Sequence, residues 1–174
     1  MTIPVTNEIT LIYEIAEGDA REASSLLLPR FCEEFCRGKG LPFPGISRGE
    51  FGKPYFASDG FPYHLSVTHC GPLFAVAFAP FPIGLDAERI SEHRPRIAAR
   101  FFSLYERTLP FSFVWTAREA AGKCTGVGLT DALKAKAFPS HVLLHGATFP
   151  IETLTLLDRY QLAVARFDPA APAE

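Results

Sequence analysis

Two carboxylates separated by a single residue are the first feature of this 174-residue chain that could do chemistry. Asp86 and Glu88 lie in the segment Gly-Leu-Asp-Ala-Glu, residues 84–88, which begins in the predicted strand 83–87 and ends one residue beyond it. Residues two apart on a strand point to the same face, so the two carboxylates would lie side by side. Their repulsion favours a bound cation, and all-oxygen ligation suits Mg²⁺ or Mn²⁺. The alternative is a solvent-facing acidic pair at the end of a strand.

A second group of residues lies in a segment with helical periodicity, residues 113–125. Trp115, Glu119 and Lys123 are four apart and would share one face of this helix. Trp115 could anchor the helix, Glu119 could complete a metal site, and Lys123 could bind a phosphate one turn further on. The alternative is an ordinary surface ion pair between Glu119 and Lys123.

Three shorter motifs add polar groups. Thr68 and His69 precede a Cys-Gly turn between two apolar segments, where they could hydrogen-bond a phosphate or form a polar hairpin turn. Lys53 lies in a Gly-Lys-Pro loop and is either a phosphate ligand or a solvated turn residue. Ser103 and Glu106 form a Ser-x-x-Glu capping box, which leaves a catalytic role for Glu106 open.

The elements that position these residues follow from periodicity, caps and breakers. Asp19 can cap the first helix, and Pro80-Phe81-Pro82 separates two halves, 1–80 and 81–174. Segregated helices and hairpins predict an α+β fold with antiparallel sheet. The predicted strands are 9–15, 61–67, 73–78, 83–87, 141–148, 151–157 and 161–167, and the predicted helices are 20–36, 94–102 and 113–125.

Composition excludes several classes of protein. The formal net charge of −2 gives no basic footprint for nucleic acid, and no apolar run approaches the length of a membrane span. The N-terminus lacks the pattern of a signal peptide, so a cytoplasmic protein is expected. A zinc site needs a second close pair of ligands, so buried, reduced thiols are expected at Cys32, Cys36, Cys70 and Cys124.

Taken together and in this order, the motifs between Phe51 and Leu129 resemble those of the 4′-phosphopantetheinyl transferase superfamily. They are Gly-Lys-Pro, Thr-His, Gly-x-Asp-x-Glu, Phe-Phe-Ser-x-x-Glu and Trp-Thr-x-Arg-Glu-Ala-x-x-Lys. The first two are similar to the longer type that activates peptide synthetases. The resemblance implies a pseudo-dimer of two similar α+β halves, each with an antiparallel sheet and a packed helix, with the active site between them.

The resemblance also assigns roles to residues. It makes Asp86, Glu88 and Glu119 the metal ligands. It implies that Lys53, Thr68, His69, Lys123 and Arg21 bind coenzyme A. Lys123 would also serve the reaction, and either Glu119 or Glu106 would accept a proton. Arg118 stands where the family usually has lysine.

The implied reaction is Mg²⁺-dependent. It transfers the 4′-phosphopantetheine arm of coenzyme A to a serine of an apo acyl or peptidyl carrier protein, and releases 3′,5′-adenosine bisphosphate. A monomer would suffice, with neither nucleic acid nor membrane as a partner. One alternative is a non-catalytic member of the same fold that binds coenzyme A or a carrier protein, and another is an unrelated metal-dependent hydrolase.

Overall fold

A computed structural model describes residues 1–91 and 93–167. The chain divides into two compact units, residues 1–82 and 83–174. Each unit has its own antiparallel sheet and its own long helix. No helix within the described ranges is long and apolar enough to span a bilayer.

The first unit is built on a four-stranded sheet with strand order β1-β2-β6-β5 and a separate two-stranded ribbon, β3-β4. Its elements are β1 (Thr2–Pro4), β2 (Thr10–Ile15), α1 (Ala20–Gly38), β3 (Ile46–Arg48), β4 (Pro54–Phe56), β5 (His64–Cys70) and β6 (Leu73–Ala79).

Helix α1 begins where the sequence predicts. The side chain of Asp19 accepts a hydrogen bond of 2.9 Å from the backbone N–H of Arg21, which satisfies one of the unpaired donors of the first turn. Leu27, Phe31 and Phe35 form the predicted apolar face and are buried in the core of this unit. The helix continues to Gly38, two residues beyond the predicted end.

The second unit contains a five-stranded sheet with strand order β7-β11-β10-β9-β8. A short 3₁₀ turn, Glu106–Thr108, lies between its first two helices. Its other elements are β7 (Ile83–Arg89), α2 (Pro95–Phe101), α3 (Phe111–Thr125), α4 (Leu129–Ala132), β8 (Lys136–Ala137), β9 (His141–Leu144), β10 (Ala147–Leu156) and β11 (Tyr160–Arg166).

The two units share a chain path. In the first, β2 leads to α1 and then to the hairpin β5-β6, whose second strand pairs with β2. In the second, β7 leads to α3 and later to the hairpin β10-β11, whose second strand pairs with β7. All of these pairings are antiparallel, so the predicted α+β class is confirmed.

Two turns differ from the prediction. Strand β5 extends to Cys70, so Thr68 and His69 lie on the strand, and the turn is reduced to Gly71-Pro72. The predicted strands 141–148 and 151–157 are divided instead at His145-Gly146, and β10 then runs through Pro150. His145 and Gly146 both have positive φ, 53° and 76°, as a two-residue type I′ hairpin turn requires.

Candidate active site

The contact between β7 and α3 depends on Gly84. A Cβ atom at this position would lie 1.9 Å from the carbonyl oxygen of Ala120 and 2.6 Å from the backbone nitrogen of Cys124. Only glycine permits so close an approach of a strand to a helix. The glycine of the Gly-x-Asp-x-Glu motif therefore brings the strand that carries Asp86 against the helix that carries Glu119.

The second unit's core fixes α3. Trp115 is 9% exposed and stacks on Phe111, with ring centroids 5.8 Å apart. A Cβ at Gly122 would lie 2.4 Å from the carbonyl oxygen of Gly128, so the helix is also packed closely against the chain entering α4. Trp115 thus acts as the predicted anchor, and Glu119 follows it by one turn.

Three carboxylates interact across this contact. Burial, and next the negative charge of Asp86, raise the pKa of Glu119 from its ordinary 4.5 to about 7. Glu88 adds to this rise, whereas the positive charges of Lys123 and Arg94 oppose it. Asp86, Glu88 and Glu119 therefore form one electrostatic cluster, although Glu119 is distant from the other two in sequence.

Two basic side chains neutralise part of this cluster. The ammonium group of Lys123 donates hydrogen bonds to Asp86 Oδ1, at 2.8 Å, and to the carbonyl oxygen of Leu85, at 3.0 Å. Arg94 Nη2 donates to Glu88 Oε1 at 2.8 Å. Lys123 is thus an ion-pair partner of Asp86 in the second unit, where the sequence left open a surface pair with Glu119.

The donor chemistry of the cluster fits a hard divalent cation. Carboxylate oxygens are the ligands that Mg²⁺ and Mn²⁺ prefer, and mutual repulsion of the three carboxylates would be relieved by a cation. Among residues 1–91 and 93–167, however, no group of three His, Cys, Asp or Glu side chains lies close enough to hold a metal ion. A cation shared by all three carboxylates would therefore require their side chains to reorient.

Glu106 has a different environment. Its carboxylate is 1% exposed and accepts two hydrogen bonds from Arg118, of 2.9 and 2.7 Å. It also accepts from the backbone N–H groups of Ala137, at 2.7 Å, and Ser103, at 2.8 Å. Burial alone would raise the pKa of Glu106, but the hydrogen bonds from Arg118, Ala137 and Ser103 hold it below 4.5. A carboxylate so engaged is a poor proton acceptor.

The capping box between Ser103 and Glu106 is present as predicted. The hydroxyl oxygen of Ser103 accepts from the backbone N–H of Glu106 at 3.2 Å, and the backbone N–H of Ser103 donates in turn to the carboxylate of Glu106. Arg118 also donates to the carbonyl oxygen of Phe101 at 2.9 Å. The Arg118–Glu106 pair therefore links the end of α2, the middle of α3 and the end of β8.

The remaining predicted residues lie in the first unit. Lys53 is half-buried directly before β4, and Arg21 is exposed in the first turn of α1. Strand alternation places Thr68, which is buried, and His69, which is exposed, on opposite faces of the sheet. Because β5 is an edge strand of that sheet, a single ligand that contacted both side chains would have to pass around this edge.

Two residues that neighbour predicted site residues, one in each unit, were not predicted from the sequence. Burial, and next the positive charge of Lys53, lower the pKa of His64 below its ordinary 6.5, so this histidine lies near Lys53. Arg94 pairs with Glu88 in the second unit. The sequence contains a signal for Arg94. It follows Glu88, a candidate metal ligand, by only six residues, so a turn after β7 can bring its side chain back to that strand.

Comparison with known proteins places these observations in a family. The 4′-phosphopantetheinyl transferase superfamily matches residues 82–165, which contain the whole acidic cluster and Lys123. A 4′-phosphopantetheinyl transferase of Bacillus subtilis is 31% identical over 152 aligned residues, which cover 75% of this chain and 67% of the relative. Another, from Aneurinibacillus migulanus, is 30% identical over 93 residues, 47% of this chain and 38% of the relative. The chain belongs to the 4′-phosphopantetheinyl transferase superfamily.

Proposed function

We propose that this protein transfers the 4′-phosphopantetheine arm of coenzyme A to a serine of an apo acyl or peptidyl carrier protein. One observation carries the proposal: Asp86, Glu88 and Glu119 form an acidic cluster beside Lys123, on the two elements that Gly84 holds in contact. The cluster lies within the residues that match the superfamily.

In this reaction the serine hydroxyl oxygen attacks the β-phosphorus of the coenzyme A diphosphate. The bond from that phosphorus to the bridging oxygen breaks, and 3′,5′-adenosine bisphosphate leaves with the electron pair. Such phosphoryl transfer depends mainly on positioning and on neutralising charge. Asp86, Glu88 and Glu119 would hold a Mg²⁺ or Mn²⁺ ion, which would neutralise charge on the diphosphate.

Glu119 is the better candidate for accepting the serine proton, directly or through a water molecule. Its carboxylate is half-buried beside Asp86 and Glu88, and in the metal-free protein burial, and next the charge of Asp86, raise its pKa to about 7. A bound cation would lower this pKa again, so the candidacy of Glu119 rests on its place in the cluster. Glu106 has both carboxylate oxygens occupied by Arg118 and by backbone donors. We therefore assign Glu106 a structural role and Glu119 the role of the base.

The coenzyme A ligands of the first unit rest on the resemblance. Lys53, Thr68, His69 and Arg21 would bind the phosphates and the adenosine end of the substrate. The chain path that both units share supports a pseudo-dimeric fold, in which a monomer is sufficient for activity.

The test is a transfer assay. The protein is incubated with coenzyme A, Mg²⁺ and a panel of apo acyl and peptidyl carrier proteins, and each carrier is examined by mass spectrometry. We expect at least one carrier to gain the mass of the arm, and we expect chelation of Mg²⁺ by EDTA to prevent the gain. A carrier in which the acceptor serine is replaced by alanine is the control.

The alternative function is a non-catalytic member that binds coenzyme A or a carrier protein. The three carboxylates of the cluster favour catalysis, because binding alone does not need them. Binding of coenzyme A with no transfer to any carrier would support the alternative and contradict our proposal.

A further inference from the structure

Arg94 is the one basic side chain shown at the acidic cluster of the second unit, within the described residues, for which the resemblance provides no role. Its backbone is fixed at the start of α2, where its carbonyl oxygen accepts from the N–H groups of Ile97 and Ala98, both at 3.0 Å. Pro95 follows at the first helical position and further restricts the chain. The side chain turns back from this fixed point toward β7, where it reaches Glu88 at 2.8 Å.

The ion pair between Arg94 and Glu88 can be broken at little cost in free energy. The side chain of Arg94 is 42% exposed, whereas that of Glu88 is 13% exposed. Ion pairs with this much solvent access stabilise a protein only slightly, so giving up this partner for another anion costs little. The charge of Arg94 also acts on Glu119, which puts it within electrostatic reach of carboxylates on both β7 and α3.

The charge balance of the cluster indicates what Arg94 would bind. Within the part of the chain that the structure describes, Lys123 pairs with Asp86 and Arg94 pairs with Glu88, and a divalent cation would bring two further positive charges. The carboxylates would then be satisfied by that cation, and the two basic side chains would need other anions. The diphosphate of coenzyme A is such an anion, and the planar guanidinium group can bind two of its oxygens at once.

We propose that Arg94 is a second cation, beside Lys123, that binds the diphosphate of coenzyme A, and that its pair with Glu88 is the ligand-free arrangement of the same side chain. This inference rests on the proposed function. It differs from a purely structural ion pair because it requires Arg94 to leave Glu88 when the substrate binds.

Calorimetric binding in the presence of Mg²⁺ tests the proposal with two ligands, coenzyme A and dephospho-coenzyme A. The second ligand lacks the 3′-phosphate but keeps the diphosphate. We expect Arg94→Ala to bind both ligands about tenfold more weakly, the loss typical of one charge-assisted hydrogen bond. Arg94→Lys should retain part of the affinity, since it keeps the charge but loses the planar fork. Arg96→Ala, at an exposed position two residues away on α2, is the matched control and should bind like the wild type.

A second measurement guards against a misfolded variant. Binding of Mn²⁺, followed by electron paramagnetic resonance, should be as tight or tighter in Arg94→Ala, because a competitor for Glu88 has been removed. Unchanged affinity for both ligands in Arg94→Ala, or a loss confined to coenzyme A, would overturn the proposal. Weakened Mn²⁺ binding would also count against it, since it would indicate that Arg94 supports the cluster.

The transfer assay separates failure of this inference from failure of the proposed function. If the wild type transfers the arm and Arg94→Ala binds normally, only the role of Arg94 is wrong. If the wild type neither binds coenzyme A nor modifies any carrier, both proposals fail.

Discussion

Two glutamates of the second unit, Glu119 and Glu106, differ in what surrounds their carboxylates. Glu119 faces other carboxylates, and its pKa rises to about 7. Glu106 faces a guanidinium group and two backbone N–H groups, and its pKa falls. Opposite shifts distinguish these two residues of the same type in the metal-free protein, where only the pKa of Glu119 lies near neutral pH.

Replacing Glu119 with Gln tests the first of these roles. The substitution is nearly isosteric, so packing around Trp115 should survive, but the amide carries no charge and cannot accept a proton. We expect kcat to fall by at least about 100-fold while binding of coenzyme A changes little. Steady-state transfer kinetics measure both quantities. Glu152→Gln, at an exposed position on β10, is the control, and turnover of Glu119→Gln near that of the control would refute the assignment.

The lowered pKa of Glu106 leads to a prediction about the stability of the fold in acid. A carboxyl group whose pKa is lower in the folded state stabilises the fold above its ordinary pKa of 4.5, and this contribution is lost as the pH falls through the folded-state value. The free energy of unfolding, measured by urea denaturation at several pH values below about 5, should therefore decrease more steeply in the wild type than in Glu106→Leu/Arg118→Met. Equal slopes would show that the pair is not charged in the folded protein.

The single variant Glu106→Leu provides the matching measurement near neutral pH. It leaves Arg118, which is 2% exposed, without its anionic partner. We expect a loss of about 3–5 kcal/mol in the free energy of unfolding, and a smaller loss in the double variant, because the uncompensated buried charge is then absent.

At the scale of the elements, the close contact of β7 with α3 decides whether the acidic cluster can form. Gly84→Ala would place a methyl group against the backbone of Ala120, which cannot move without the helix. We expect a loss of at least about 2 kcal/mol in the free energy of unfolding, together with a fall in kcat, since overpacking displaces α3. Chemical denaturation and transfer kinetics check the two effects.

Gly38→Ala is the matched control for this prediction. Gly38 ends α1, its backbone is helical, and a Cβ there would meet no atom within 4 Å. The free energy of unfolding of Gly38→Ala should be equal to or slightly above that of the wild type, because alanine is the better helix former. If Gly84→Ala behaved in the same way, the proposed role of the close contact would be wrong.

The elements that carry the cluster were predictable because their patterns are local. The short apolar segment of β7 and the four-residue spacing of Trp115, Glu119 and Lys123 can be read without knowing the fold. The pair of Arg118 with Glu106 spans 12 positions and depends on tertiary packing, so the sequence left Glu106 open as a possible base. Likewise, the strand was expected to end at Val67, before Thr68, because the sequence does not show that Gly71 and Pro72 alone can complete the turn.

At the scale of the whole molecule, the proposal requires residues from both units to serve one substrate. Lys53 lies in the first unit and Lys123 in the second. We expect Lys53→Ala to raise the KM for coenzyme A by about tenfold with little change in kcat, because it removes ground-state contacts. Lys123→Ala should affect both constants, since its side chain also pairs with Asp86.

Ligand-induced thermal stabilisation independently tests whether Lys53 and Lys123 both bind coenzyme A. Saturating coenzyme A and Mg²⁺ should raise the Tm of the wild type, and both lysine variants should show a smaller rise. Lys136→Ala, at an exposed position on β8, should retain the full rise. A full rise in Lys53→Ala would show that the first unit does not take part in binding coenzyme A through this residue.

The placement of the four cysteines has a practical consequence for spectroscopy. All four are reduced, and Cys32, Cys36 and Cys124 are buried. Burial raises the pKa of Cys36, and burial together with the charges of neighbouring groups raises that of Cys32 to about 12, so few thiolates form at these positions. Cys70, at the end of β5 and next to His69, is half-buried. A maleimide fluorophore should therefore attach first at Cys70 in the native protein, where a change in its emission on adding coenzyme A would test the proposed role of His69 without any engineered site.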